Sequence, residues 1–166
     1  MATDAASPDR ILPMLDGSGL RIAVLCGRFN DQITNRLLDG VARGLSACGV
    51  EPSDVTTAWV PGAFELPMAA KAHAESGRFD AIIVLGAVIR GETTHYEIVS
   101  GECARGVQDV QLATGVPVMF GVLTTENLDQ ALARSEDAGG HNVGEECGRG
   151  AVEMVGLIRP LRERMD

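Results

Sequence analysis

Ala81-Ile-Ile-Val-Leu-Gly-Ala-Val-Ile89 runs without a charged or polar side chain, between Asp80 on one side and Arg90 on the other. A strand with one wet face alternates apolar with polar residues, and this run does not alternate. It therefore predicts a strand covered by protein on both faces, as in parallel sheets whose crossover helices lie above and below. The rest of the chain has to supply those helices and the neighbouring strands.

Towards the N-terminus, Ile22-Ala-Val-Leu-Cys26 is a short apolar run. Beyond it Ile33, Leu37, Leu38, Val41, Leu45 and Cys48 recur at helical spacings of three and four, with Gly49 placed to end the helix. Val55-Thr-Thr-Ala-Trp-Val60 reads as a strand closed by Pro61-Gly62, and the run from Phe64 to Glu75 as the next helix. Towards the C-terminus, Ile98, Val99, Cys103, Val107 and Val110 keep helical spacing, and Val118-Met-Phe-Gly-Val-Leu123 follows as a fourth strand. A short helix is expected from Asn127 to Arg134. After Gly139-Gly140 a last helix carries Cys147, Ala151, Val155 and Ile158 on one stripe. Strands alternating with helices imply right-handed crossovers, so the expected fold is α/β: three layers of flavodoxin-like type, with a four-stranded parallel sheet flanked by helices.

Residues 19–166 are expected to form one domain, preceded by a flexible segment, 1–18, with Pro8, Pro13 and Gly17 and no hydrophobic period. Within it Ile11-Leu-Pro-Met-Leu15 has apolar residues that a disordered tail does not need, which points to strand pairing along a sheet edge, its own or a neighbour's.

Composition narrows the function classes. A chain of 166 residues, 45% hydrophobic and 22% charged, suits a core that buries roughly 70% of the unfolded surface. It has no apolar run of about 18 residues and no basic, apolar start, so a soluble, cytoplasmic protein without a membrane partner is expected. The net charge of −9, with no clustered basic face, argues against nucleic acid. Cys26, Cys48, Cys103 and Cys147 are scattered and form no C-x-x-C pair, so they read as reduced, buried residues. No metal-ligand spacing is present, and neither a metal nor a cofactor is expected. Lys71 is the sole lysine among 14 basic residues and lies in a helical run, a poor setting for Schiff-base catalysis.

In parallel sheets ligands bind beyond the carboxyl ends of the strands, which here read Gly27-Arg-Phe-Asn30, Pro61-Gly-Ala-Phe-Glu65, Arg90-Gly-Glu-Thr-Thr-His95 and Thr124-Thr-Glu-Asn127. Thr94 and Glu97 have capping-box spacing, so a helix begins there and turns the N–H groups around Glu92 to Thr94 outward, a setting for phosphate. The same spacing also reads as a plain helix cap. His95 lies one residue inside that helix, and an imidazole both gives and takes protons near neutral pH. His73, within a helix and without a partner motif, reads as structural.

Gly27-Arg-Phe-Asn30, Trp59-Val-Pro-Gly-Ala-Phe-Glu-Leu-Pro67, Gly86-Ala-Val-Ile-Arg-Gly-Glu-Thr-Thr-His-Tyr96 and Pro117-Val-Met-Phe-Gly-Val-Leu-Thr-Thr-Glu-Asn127 together resemble the motifs of the lumazine synthase family, in order, over about Gly19 to Met154. The resemblance implies condensation of 5-amino-6-(D-ribitylamino)uracil with 3,4-dihydroxy-2-butanone 4-phosphate to 6,7-dimethyl-8-ribityllumazine, phosphate and water, in riboflavin biosynthesis. It implies that Phe29 stacks on the pyrimidine, that Ala63, Phe64 and Glu65 hold the pyrimidine and its ribityl chain, and that Ala87, Val88 and Ile89 line the same pocket. Glu92 and Thr93 then match the butanone phosphate loop and His95 the proton-transferring residue. Phe120 matches the aromatic residue that closes the pocket from an adjacent subunit, and Arg134 the phosphate-binding arginine. The partners implied are these two small molecules and further copies of the chain.

One position departs from the family pattern. Where the last helix begins, members usually have Asn-Lys-Gly, whereas this chain reads His141-Asn-Val-Gly144. His141 is the nearest residue to compensate for the basic group absent at Val143. The linker Ser135-Glu-Asp-Ala-Gly-Gly140 is about one residue longer than in shell-forming members, which favours a pentamer over an icosahedral 60-mer. A non-catalytic flavin- or lumazine-binding protein is the alternative, but it would not need both His95 and Arg134.

Overall fold

The computed structural model describes residues 15–164. The apolar piece read as an edge strand lies, except for Leu15, outside the described residues.

Strand β3 (Ala81–Ile89) sits inside the sheet, and its side chains point alternately into two cores. Ala81, Ile83, Leu85 and Ala87 enter one, and Ile82 and Val84 the other. Strand β1 (Ile22–Gly27) divides in the same way, Ile22, Val24 and Cys26 against Ala23 and Leu25. With β2 (Val55–Val60) and β4 (Val118–Thr125) these strands form one parallel sheet in the order β2-β1-β3-β4. Its register sets Ile22 opposite both Val55 and Ala81, and Ile82 opposite Val118.

Helices α1 (Asp31–Ala47) and α5 (Val143–Glu163) cover one face, through Ile33, Leu37, Val41 and Leu45 and through Cys147, Ala151, Val152 and Val155. Helices α2 (Leu66–Glu75) and α3 (His95–Thr114) cover the other, through Leu66, Ala70 and Ala74 and through Cys103, Val107 and Val110. The result is the expected three-layer, flavodoxin-like α/β fold. Each fully buried Leu, Ile or Val in these cores contributes about 1.5–3 kcal/mol. Truncating a central one such as Ile83 to alanine costs about 2–5 kcal/mol, because a cavity remains.

Local departures from the sequence reading have local causes. The helix expected from Phe64 opens as a 3-10 turn at Ala63–Glu65, and α2 proper begins at Leu66. Pro67 has no N–H for the Ala63 carbonyl and its ring crowds that oxygen, so an α-helical turn cannot reach back further. Strand β4 runs two residues past Leu123, because Thr124 and Thr125 stay paired with Val88 and Ile89. The short helix α4 occupies Leu128–Leu132 and is capped by Asn127, whose Oδ1 accepts the Gln130 N–H at 2.9 Å.

Candidate active site

Beyond β1 the chain crosses to the α1 face, and beyond β3 to the α3 face, so a crevice opens between the two strand ends. A cavity of about 640 Å³ lies there. Its walls are Phe29 and Asn30 after β1, residues 61–65 after β2, the Ala87 to Ile89 end of β3, and Gly91, Thr93, His95, Tyr96, Ile98 and Val99 at the start of α3.

The backbone sets the two phenylalanines. Arg28 and Phe29 N–H groups donate to the Val60 and Pro61 carbonyls at 2.9 and 3.2 Å, continuing the β1–β2 ladder past its strands. Asn30 then takes a left-handed conformation, φ 61°, which asparagine tolerates better than most residues, and its Nδ2 donates to the Ala87 carbonyl at 2.9 Å. Phe29, 74% exposed, lines the cavity together with the half-exposed Phe64. Ala87 is buried beneath them, with Val88 and Ile89 half-buried at the strand edge.

The expected capping box does not form at α3. Thr94 occupies the cap position without a side-chain hydrogen bond, and Glu97 turns instead to the Arg90 guanidinium. A charge-assisted bond to arginine outcompetes one to a neutral backbone N–H. Arg90 also donates through Nε to Glu126 at 2.8 Å and lies 4.2 Å over the Tyr96 ring, so one side chain links the β3 end, the first turn of α3 and the β4 loop. This pairing lowers the Glu97 carboxyl from its ordinary value and raises Arg90. Thr93 Oγ1 accepts the His95 N–H at a long 3.4 Å. The N-terminal end of α3, with its positive dipole, therefore meets the cavity without a side-chain cap.

Phe29, Ala63, Phe64, Glu65, Ala87, Val88, Ile89, Thr93 and His95 thus come together in one cavity. Glu92, Phe120 and Arg134 do not line it. Glu92 is exposed beside it. Phe120, 38% exposed, stands on edge strand β4 opposite Val84, well short of the strand's carboxyl end. Arg134 is exposed beyond α4, its Nη1 donating to the Gln130 carbonyl at 2.9 Å. The Thr124 to Asn127 loop does not line it either; Thr124 and Thr125 pair with the lining residues Val88 and Ile89, and Glu126 pairs with Arg90. Among the described residues no arginine or lysine lines the cavity; Lys71 pairs with Glu75 at 3.2 Å on α2, and His73 bonds the Ala69 carbonyl at 2.7 Å. His141 Nε2 lies 3.1 Å from the Glu146 carboxylate, and Val143 packs against the α1–α5 core.

Sequence reading did not single out Asn30, Tyr96, Ile98 or Val99 as lining residues. Ile98 and Val99 have the spacing of a helix core stripe, and only the crevice beside α3 turns them to a cavity. Among the described residues no group of three or more His, Cys, Asp or Glu side chains is placed to hold a metal, and no helix is long and apolar enough to cross a membrane.

A family model described as 6,7-dimethyl-8-ribityllumazine synthase matches residues 19–159, a span that includes every strand, the whole cavity wall and Arg134. The chain belongs to the 6,7-dimethyl-8-ribityllumazine synthase family and is a transferase of riboflavin biosynthesis.

Proposed function

We propose that this chain condenses 5-amino-6-(D-ribitylamino)uracil with 3,4-dihydroxy-2-butanone 4-phosphate to give 6,7-dimethyl-8-ribityllumazine, releasing phosphate and water. The observation that carries the reading is one cavity lined both by exposed aromatic residues, Phe29 and Phe64, and by Thr93 and His95 at a helix start without a side-chain cap. The rings offer stacking area to a flat pyrimidine, and the helix end offers amides and a dipole to a phosphate.

The nucleophile is the amine of the pyrimidine substrate, which agrees with the placement of Lys71 in an ion pair on α2. The protein then has to hold two reactants in line and move protons. Alignment supplies up to about 7–11 kcal/mol in favourable intramolecular cases. His95 takes and returns protons as the amine adds to the ketone, one water leaves to form the imine, phosphate departs, and the ribitylamino nitrogen closes the second ring on the remaining carbonyl carbon with loss of a second water. Glu65 and the Ala63 to Phe64 backbone receive the polar edge of the pyrimidine and its ribityl hydroxyls. Glu92 and Thr93 sit on the phosphate side.

A phosphorylated substrate carries negative charge, yet among the described residues no arginine or lysine stands in the cavity wall. In our reading Arg134 of a neighbouring subunit supplies it, and Phe120 of a neighbour covers the pyrimidine. The assembly we favour is a pentamer with sites at its interfaces.

Mixing the two substrates with the protein and following lumazine absorbance tests the activity. Product is expected well above the uncatalysed rate; its absence, with the product still bound tightly, would point to the non-catalytic binder instead. His95→Ala is expected to lower kcat by on the order of 10². Arg134→Ala is expected to raise KM for the phosphorylated substrate by about tenfold or more, from loss of a charged hydrogen bond.

A further inference from the structure

Ser135 and Asn142 are buried polar residues, 0% and 3% exposed, with no part in the cavity wall. They face each other in an antiparallel bridge that closes the loop between α4 and α5. Asn142 uses its whole amide. Its Oδ1 accepts the Glu145 N–H at 3.2 Å and caps α5, while Nδ2 donates to the Arg36 carbonyl at 3.0 Å and the Glu136 carbonyl at 2.9 Å. Ser135 Oγ donates to the Ala131 carbonyl at 2.9 Å, and the Ser135 carbonyl accepts Arg36 Nε at 2.8 Å. Gly40 makes room for this knot, since a Cβ there would collide with the Asn142 amide.

A helix cap alone needs only the acceptor, and serine, threonine or aspartate supply one as well as asparagine does. The two donated bonds run the other way, from the start of α5 to α1 and into the loop. What they hold is the root of Arg134. The Arg134 carbonyl accepts the Val143 N–H at 2.9 Å, its own N–H donates to Ala131 at 3.2 Å, and the next rung joins Glu136 N–H to the His141 carbonyl at 2.9 Å. The guanidinium stays outside on an exposed side chain. An exposed arginine that must meet a ligand away from its own fold loses affinity to side-chain and loop freedom unless its root is fixed beforehand.

We infer that Asn142, acting through the Ser135–Asn142 bridge, is a positioning residue for Arg134 and sets the affinity for the phosphorylated substrate. The inference rests on the phosphate role proposed above for Arg134.

Asn142→Ser keeps a cap acceptor and removes both donors. It is compared with Arg134→Ala, with the double variant and with Ser135→Ala, which leaves the cap of α5 untouched. Steady-state kinetics with each substrate varied, and inhibition by inorganic phosphate, are the readouts. The expected result for Asn142→Ser is about a tenfold rise in KM for the butanone phosphate with a parallel weakening of phosphate inhibition. KM for the pyrimidine and kcat should stay within about twofold, and no further rise should appear on the Arg134→Ala background. Ser135→Ala should move the same KM in the same direction, which serves if Asn142→Ser does not fold. A lowered melting temperature with both KM values unchanged would reduce Asn142 to a helix cap and overturn the inference. So would an undiminished effect of Asn142→Ser on the Arg134→Ala background. If Arg134→Ala itself leaves that KM unchanged, the phosphate role of Arg134 fails, and the inference with it.

Discussion

Asn30 is the one described residue other than glycine with a positive φ, and this turn carries the chain away from β1 so that Phe29 stays at the cavity mouth. A left-handed L-residue costs about 1–2 kcal/mol, which the bond from its Nδ2 to the Ala87 carbonyl helps to offset. Burial has the opposite role at the cysteines. It raises the Cys26 and Cys147 thiols to about 12 and Cys103 to about 11, and lifts Cys48 as well. The thiolate is the reactive form, so an aromatic disulfide reagent at pH 8 should find no fast thiol in the folded protein and all four after denaturation. A native thiol reacting at the rate of free cysteine would contradict this. The unfolded chain loses these protons first, near 9.0, so stability is intact below that pH and falls as pH rises towards 11 to 12. Phe29, Thr93 and His95 could be read from the sequence because strand-end motifs carry them. Asn30 could not, because its role depends on a dihedral angle and on a partner 57 positions away.

At the scale of elements, β3 was legible because nothing but a strand covered on both faces explains an unbroken apolar run, and α1 because its period is regular. The start of α3 was legible in place but not in chemistry. Thr94 and Glu97 have the right spacing, but a competing guanidinium three-dimensionally adjacent to Glu97 leaves no mark in spacing. The Arg90 cluster holds the turn that presents Thr93 and His95 to the cavity. Arg90→Gln should therefore lower kcat/KM by about three- to tenfold while the melting temperature barely moves, since exposed ion pairs contribute about 0–1 kcal/mol. Steady-state kinetics beside a thermal melt would check it, and an unchanged kcat/KM would show that the turn holds itself. Because Glu97 is lowered by this pairing, the contact is complete above its usual value of 4.5 and is lost as pH falls through the lowered one. The site should loosen on the acid side before the fold does.

At the scale of the molecule, the described residues form a cavity with aromatic rings, a histidine and a helix end but no arginine or lysine, and they carry Arg134 and Phe120 exposed elsewhere. Spacing along one chain shows that such residues exist but not which copy they serve, so this division is beyond sequence periodicity. If His95 acts in its own cavity and Arg134 in a neighbour's, each site draws on two subunits and the two defects can be separated. His95→Ala subunits keep a working Arg134, and Arg134→Ala subunits keep a working His95. Unfolded together in equal amounts and refolded, they should form mixed rings in which about a quarter of the interfaces pair an intact His95 with an intact Arg134. The mixture should then recover about a quarter of the wild-type kcat/KM for the phosphorylated substrate, although each variant alone is poor. Were both residues to serve the same cavity within one chain, every site would carry one defect whatever its neighbours, and the mixture would be no better than the average of its parts. Size measurement on the same samples separates the explanations for a null result: a monomer would rule out the shared site, whereas a mixed pentamer without recovery would place His95 and Arg134 in the same subunit's site.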